Sequence, residues 1–384
     1  MLALQCATGA RVRKTDRTAE PTLATAEDPC APSRPAHRSP LQAAWRKRAI
    51  TAGLEAFAAL SAARLAPGAA AGRGILFTLH HVRPAESHAF DPNGHLSVTP
   101  QFLAAAIREV QRAGYDTIPL HEVPERLADP RPGRRFASFT LDDGNRDNAV
   151  HAAPVFREHG VPYTIFIAKG LTERTATMWW ETAAELVRDN DEFAFDFGQG
   201  SEQVPSASLG EKFNAFDRLA EFVESRDELE AVRLIDSAAL QKSVDARSIV
   251  EREIMGVDEL RVLAGDPLAH FGAHTVTHRN LARLPEDELE REIAESVEAV
   301  EQWTGTRPRC FAHPYGIPGS CGDREAKAVA AAGLEIAVTT RPDVLTAASL
   351  CERGLMPRVS LNGYYQQPRY VRALMSGLPF SLTR

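Results

Sequence analysis

Two adjacent carboxylates and two imidazoles four residues apart are the groups in this 384-residue chain best suited to do chemistry. Asp142 and Asp143 stand in "TLDDGNRD", directly after "FASF", and His274 and His278 stand in "HTVTH", directly after "HFGA". Neighbouring side chains at a strand end point in different directions, so one aspartate can bind a cation while the other faces a reactant. That division suits hydrolysis. If the chain bends into a helix after its strand, His274 and His278 lie one turn apart and both imidazoles can face one ion. With Asp143 they make a two-His, one-carboxylate set that leaves positions open for water. Each motif alone is weak, because Asp-Asp-Gly is a common turn and HxxxH arises by chance. A third polar cluster, "HPYG" after "CFA", strengthens them. All three fall where predicted strands end, which is where α/β barrels build their active sites.

The elements that must position these residues alternate. "GILFTLHHV" (74–82) reads as a buried strand, followed by helix "TPQFLAAAIREVQRAGY", a strand near "TIPL", strand "FASFTL", helix "NAVHAAPVFREHG" and strand "YTIFIA". The alternation resumes with "LAHFGAH", the acidic helix "EDELEREIAESVEAVEQWTG", strand "CFAHPYG", helix "REAKAVAAAG", strand "EIAVTT" and a last strand near "MPRVSL". Such βα units imply a parallel sheet, and seven or eight of them point to a barrel. The interval 172–265 shows helical patterns only and reads as a helical insertion. Residues 1–40 lack apolar periodicity and read as disordered, or as a start codon placed too far upstream. In 41–70 a basic cluster precedes an apolar stretch, as in a secretory signal. Glu55 interrupts it, and Ile50, Leu54, Phe57 and Leu65 fall at helical spacing, which favours an amphipathic packing helix. The barrel is expected over 71–366, with a tail over 367–384.

Composition narrows the function. Apolar residues make up 44% and charged residues 25%, as in soluble globular domains. The net charge is −7, and residues 1–50 carry nine Lys/Arg against four Asp/Glu, so the body is acidic. An acidic body lacks the clustered positive charge that nucleic acid requires and suits a neutral or cationic substrate. Five cysteines with no CxxC pair argue against a disulfide framework. No uncharged apolar run approaches the roughly eighteen residues needed to cross a bilayer. A cytoplasmic location fits slightly better than export.

"TLDDG", "HTVTH" and "HPYG", in this order and spacing, resemble the first three motifs of the NodB-type polysaccharide deacetylases. "LFTLHHVRP", "SVTPQFLAAAIREVQRAGYDTIPL" and "GLMPRVSLNG" resemble that family's flanking segments, so the likeness spans about residues 72–365 apart from the insertion. It implies a deformed (β/α)7 barrel that hydrolyses acetyl groups, mostly N-acetyl, from an acetylated carbohydrate with one divalent metal. Zinc comes first, with Co, Ni, Mn or Fe also compatible with two imidazoles and a carboxylate. By the resemblance Asp142 is the general base, Asp143, His274 and His278 are the metal ligands, and the backbone N–H of Tyr315 is the oxyanion donor. Thr140, Thr275 and Thr277 read as supporting residues.

The departures from the family pattern define what the structure has to answer. Leu141 replaces the usual Phe, a conservative apolar change. Ala312 stands where many members carry an Arg that orients the base; Arg358 in "MPRVSL" either supplies that charge or makes a structural salt bridge. The usual C-terminal Leu-x-His is absent, yet a leaving amine must be protonated. In the poly-N-acetylglucosamine deacetylase branch the acid comes from a phrase like "TLHHV". His80 aligns best with it, with His81 and His313 as the other candidates. His81 would point to the opposite strand face. His270 reads as a deeper barrel residue, and Trp179 and Trp180 as core packing of the insertion or as a sugar-stacking surface. Two other readings compete: an amidohydrolase acting on a small non-sugar amide, and an inactive glycan-binding domain.

Overall fold

A computed structural model describes residues 40–62, 70–86, 88–131 and 133–381. The expectations for the first 39 residues fall outside this range. Seven parallel strands form the body: β1 (Gly74–Leu79), β2 (Phe136–Leu141), β3 (Tyr163–Ile167), β4 (Ala269–Ala273), β5 (Cys310–Ala312), β6 (Ile336–Val338) and β7 (Val359–Ser360). Consecutive strands pair from β1 through β6, and β7 returns to pair with β1 through Phe77↔Val359 and Thr78↔Ser360. Met356 bridges Val338 of β6, so the segment 356–360 closes the ring. This is the expected deformed (β/α)7 barrel. The strand near "TIPL" is a two-residue strand, Asp116–Thr117, which pairs with β2 off the ring.

β1 and β2 are buried at all six positions, as strands covered on both faces must be, and they run in register from Gly74↔Phe136 to Leu79↔Leu141. The covering helices bury one stripe each. In Pro100–Arg112 it comprises Phe102, Leu103, Ala106, Ile107 and Val110 at helical spacing, behind an N-cap in which Thr99 accepts from the Phe102 N–H. The helix Glu286–Thr304 opens with three acidic residues, which complement its dipole, and stops at Gly305 in the left-handed region (φ 72°).

The structure departs from the sequence reading in several places. "GILFTLHHV" is not one strand: β1 ends at Leu79, and His81–Val82 pairs separately with Ser97–Val98. The break falls at His80. The Asp142 N–H donates to the Leu79 carbonyl, while Asp147 accepts from the Val82 N–H and the His81 ring, pulling the chain off the barrel. The insertion is not purely helical, because Glu192–Asp196 and Ser201–Pro205 form an antiparallel hairpin. Phe193 and Phe195 alternate as a half-buried strand should, but on the partner strand only Val204 is buried, so that strand carried no apolar alternation to read. The insertion has its own core, which includes Phe193, Leu219, Phe222 and Ile235.

The predicted helix 41–70 is described over Pro40–Ala62, and Leu54, Phe57 and Ala58 pack against Tyr365, Tyr370 and Ala373. Glu55, the residue that argued against a secretory signal, accepts from Arg369 and Tyr370. The expected tail is two helices, Pro368–Met375 and Leu378–Ser381, and Val371, Met375 and Phe380 join the main core. Val371→Asp places an unpaired charge in that core, which costs several kcal/mol; thermal unfolding followed by circular dichroism is expected to shift down by several degrees, whereas a free tail would leave it unchanged.

Candidate active site

The strand ends at the carboxyl side of the barrel carry the candidate residues, as α/β barrels require. Asp143 follows β2 with its backbone in the left-handed region (φ 72°), which swings its side chain away from that of Asp142. His274 follows β4, and its Nδ1–H donates to the Ala312 carbonyl at 2.7 Å, leaving Nε2 free to act as a donor to an ion. His278 arrives through a loop. The helical turn expected between the two histidines does not form, because Thr275 (φ 67°) and His278 (φ 59°) both take the left-handed conformation and the His278 N–H donates to Thr275 Oγ1.

That loop is shaped by a buried carboxylate on the helix Glu286–Thr304. Glu292 accepts from the Val276 and Thr277 N–H groups, each at 2.8 Å, and from the Thr277 hydroxyl at 2.5 Å, while Arg279 offsets its charge. Thr275 and Thr277 thus hold the loop together, the first through the His278 N–H and the second through Glu292. Of the six described non-glycine residues in the left-handed region, Asp143, Thr275, His278 and Tyr315 lie at this site. Such backbone strain gathers where surrounding structure imposes a functional geometry.

The outcome is a convergent donor set. Asp143 Oδ1 lies 3.4 Å from His274 Nε2 and 3.4 Å from His278 Nε2. Two donors about 2.1 Å from one ion at a tetrahedral angle stand about 3.4 Å apart, so the spacing fits a divalent cation. Asp143 Oδ1 is buried with no hydrogen-bond partner, as a ligand oxygen awaiting an ion would be. Among the described residues this is the one group of three or more His, Cys, Asp or Glu side chains with ligand atoms within 4.8 Å of one another. Burial pushes the Asp143 carboxyl up, but the two facing imidazoles hold it well below the usual carboxylate range.

Asp142 points the other way and meets Arg358. The guanidinium donates to Oδ1 and to Oδ2 of Asp142, each at 2.7 Å, to Thr140 Oγ1 at 3.0 Å and to the Thr339 carbonyl at 2.9 Å. Arg358 is fully buried and sits in the segment that closes the ring between β6 and β7. Burial raises the Asp142 pKa, and the Arg358 pair outweighs it, so the carboxylate stays ionised. Thr140 holds this guanidinium while donating to the Phe77 carbonyl at 2.8 Å. Leu141 is buried in the apolar core, as read.

The three candidate acids separate. His80 Nε2 lies 3.9 Å from Asp142 Oδ2, and its side chain is 21% exposed, so it borders the open side of the site. Burial lowers its pKa, against the pull of Asp143 and Asp142. His81 faces away and binds Asp147 at 2.7 Å. His313 is buried and hydrogen-bonds the Gly354 carbonyl at 2.9 Å through Nε2, and burial depresses its pKa to about 4. His270 stands half-buried near the amino end of β4, its ring 4.9 Å from that of His121. Trp180 packs in a small core with Met178 and Ile254 and lies 4.9 Å from the His278 ring. Trp179 stacks on Phe216 and donates to the Tyr315 hydroxyl at 3.1 Å.

Sequence reasoning missed Glu292, Asp147 and Glu228, which fix the loops. Glu292 left a signal: it interrupts the apolar stripe Leu289, Ile293, Val297 on its helix. Glu228, whose carboxylate accepts from the Tyr315 hydroxyl, left none.

Residues 240–337, which include His274, His278 and Tyr315, match the family model described as polysaccharide deacetylase. No curated protein matches the chain. Solved structures similar to it include the deacetylase PplD of Streptococcus pyogenes in complex with acetate (17% identity, 76% of this chain and 92% of that chain, TM-score 0.45). Others are IcaB of Ammonifex degensii (15%, 78% and 97%, TM-score 0.47) and the deacetylase domain of BpsB from Bordetella bronchiseptica (15%, 74% and 94%, TM-score 0.45).

Elemental analysis of the purified protein is expected to find about one divalent ion per chain. A His274→Ala/His278→Ala variant should lose it while keeping its far-ultraviolet circular dichroism; equal metal in both proteins would exclude this donor set.

Proposed function

We propose that this chain belongs to the polysaccharide deacetylase family and is a metal-dependent hydrolase that removes acetyl groups, foremost N-acetyl, from a carbohydrate, with zinc the best match to its two nitrogen and one oxygen donors. The observation that carries this reading is the placement of an ionised, doubly hydrogen-bonded Asp142 beside the convergent Asp143, His274 and His278. A bound divalent ion supplies Lewis acidity toward the acetyl carbonyl and lowers the pKa of water.

The chain's own residues account for the proton movements. Asp142 takes the proton of the attacking water, and its bidentate pair with Arg358 fixes which lone pairs face the site. The pair also bounds the base strength, because Arg358 must remain paired after Asp142 is protonated. The backbone N–H of Tyr315 serves the developing oxyanion. His80, which borders the open side of the site, protonates the leaving amine at nitrogen. The acidic body suits a product that carries a new ammonium group. A cytoplasmic enzyme acting on a glycan precursor belongs to the same proposal. Among the described residues no helix is long and apolar enough to cross a membrane.

Asp142→Asn is expected to abolish acetate release from acetylated oligosaccharides while the metal content stays at the native level; normal turnover would remove Asp142 from the role of base. His80→Ala discriminates the acid. An amine leaves only when protonated and a nitrophenolate leaves without it, so the variant should lose about 10²- to 10⁴-fold on an N-acetyl sugar and far less on nitrophenyl acetate. Equal losses on both substrates would assign the proton to another group.

A further inference from the structure

The insertion reaches the site through one carboxylate. Glu228 opens the helix Glu228–Gln241 and is 6% exposed. Its Oε1 accepts from the Tyr315 hydroxyl at 2.5 Å, and its Oε2 accepts from the Asn280 backbone N–H at 2.9 Å. The same hydroxyl accepts from Trp179 Nε1–H, also of the insertion, at 3.1 Å. Tyr315 is held in the left-handed region (φ 61°), and its carbonyl accepts from Thr340 Oγ1 at 2.7 Å. A tyrosine in that conformation costs on the order of 1 kcal/mol or more, so something must hold it there. Docking alone does not require a carboxylate, because burying one costs more than packing an apolar residue in its place. The insertion is anchored independently as well: the Met255 N–H donates to the Gly144 carbonyl at 3.0 Å, Asn93 to the Trp180 carbonyl at 2.9 Å and Arg283 to the Val223 carbonyl at 3.0 Å.

We infer that Glu228 is a positioning residue of the insertion, which grips the Tyr315 hydroxyl and thereby fixes the Tyr315 backbone N–H toward the reacting carbonyl. Glu228 touches none of the donor atoms of the metal set, and its contribution passes through Tyr315. The inference rests on the deacetylase reading for its kinetic consequence alone; the restraint on the loop exists without it.

The test compares Glu228→Ala, Tyr315→Phe and the double variant in the full chain. Loss of one oxyanion donor's alignment lowers kcat by about 10- to 100-fold, below the 10²- to 10³-fold cost of removing such a donor outright. KM on an N-acetylated oligosaccharide should stay within about twofold, and metal content should be native. The double variant is expected to be no worse than the weaker single variant, since both cut the same contact. Glu228→Gln, which keeps one acceptor oxygen, should recover part of the loss. Hydrogen exchange supplies a readout independent of turnover: the amides of His313, Tyr315 and Gly316 exchange faster in both single variants while those of β4 do not. Native kcat in Glu228→Ala, losses that multiply in the double variant, loss of metal or unchanged exchange at 313–316 would each overturn the inference. If the unmodified protein releases no acetate from any acetylated sugar, the functional reading fails, and hydrogen exchange alone decides whether Glu228 restrains the loop.

Discussion

The pair between Arg358 and Asp142 is the interaction on which the rest depends. Two charges buried together lose their hydration, and removing either partner leaves the other at a cost of about 3–5 kcal/mol. The structure meets that cost by satisfying the guanidinium with both Asp142 oxygens, Thr140 and the Thr339 carbonyl, and by laying it 5.6 Å from the Phe166 ring. Its side chain is the largest of those fully buried. Arg358 sits where Met356 meets β6 and Val359 meets β1, so closing the barrel and orienting the Asp142 carboxylate are one event.

Around that pair the charges balance in a way that explains the neighbouring donor set. Asp142 and Asp143 are consecutive buried carboxylates, and a single guanidinium offsets one of them. The other faces two imidazoles, one of which spends its Nδ1–H on the Ala312 carbonyl and so turns its Nε2 lone pair toward the carboxylate. A backbone oxygen that fixes the tautomer of a histidine is a common outer support of metal ligands. Ala312 has no side-chain charge to offer, yet its carbonyl supports the donor set through His274. A positive charge reaches Asp142 instead from Arg358, in the segment that closes the ring next to β6.

Much of this was legible because strand periodicity and strand-end chemistry are local. The buried runs of β1 and β2, the Asp-Asp step and the spacing of His274 and His278 identified the barrel and the residues that meet at its mouth. Arg358 could be singled out, as either a charge for the aspartates or a structural salt bridge, because it stands on the last predicted strand. What stayed hidden depends on contacts far apart in sequence. Nothing in "HTVTH" tells that Glu292 will draw its loop out of helical form, and nothing in "DELE" tells that Glu228 will reach Tyr315. The hairpin 192–205 escaped notice because one of its strands buries only Val204, and the terminal helices because each is short.

The closing segment also sets an order in time. Asp142 and its partner are 216 positions apart. While the chain is being made, the aspartate is complete long before the residue that will neutralise it, and it stays hydrated and unoriented until the last strand docks. Contacts of such separation form late and slowly, since a large loop must close before they contribute. Asp142 is therefore oriented only after Arg358 has been made, and a product that stops short of Arg358 would carry Asp142, Asp143, His274 and His278 without the guanidinium that aligns the first of them.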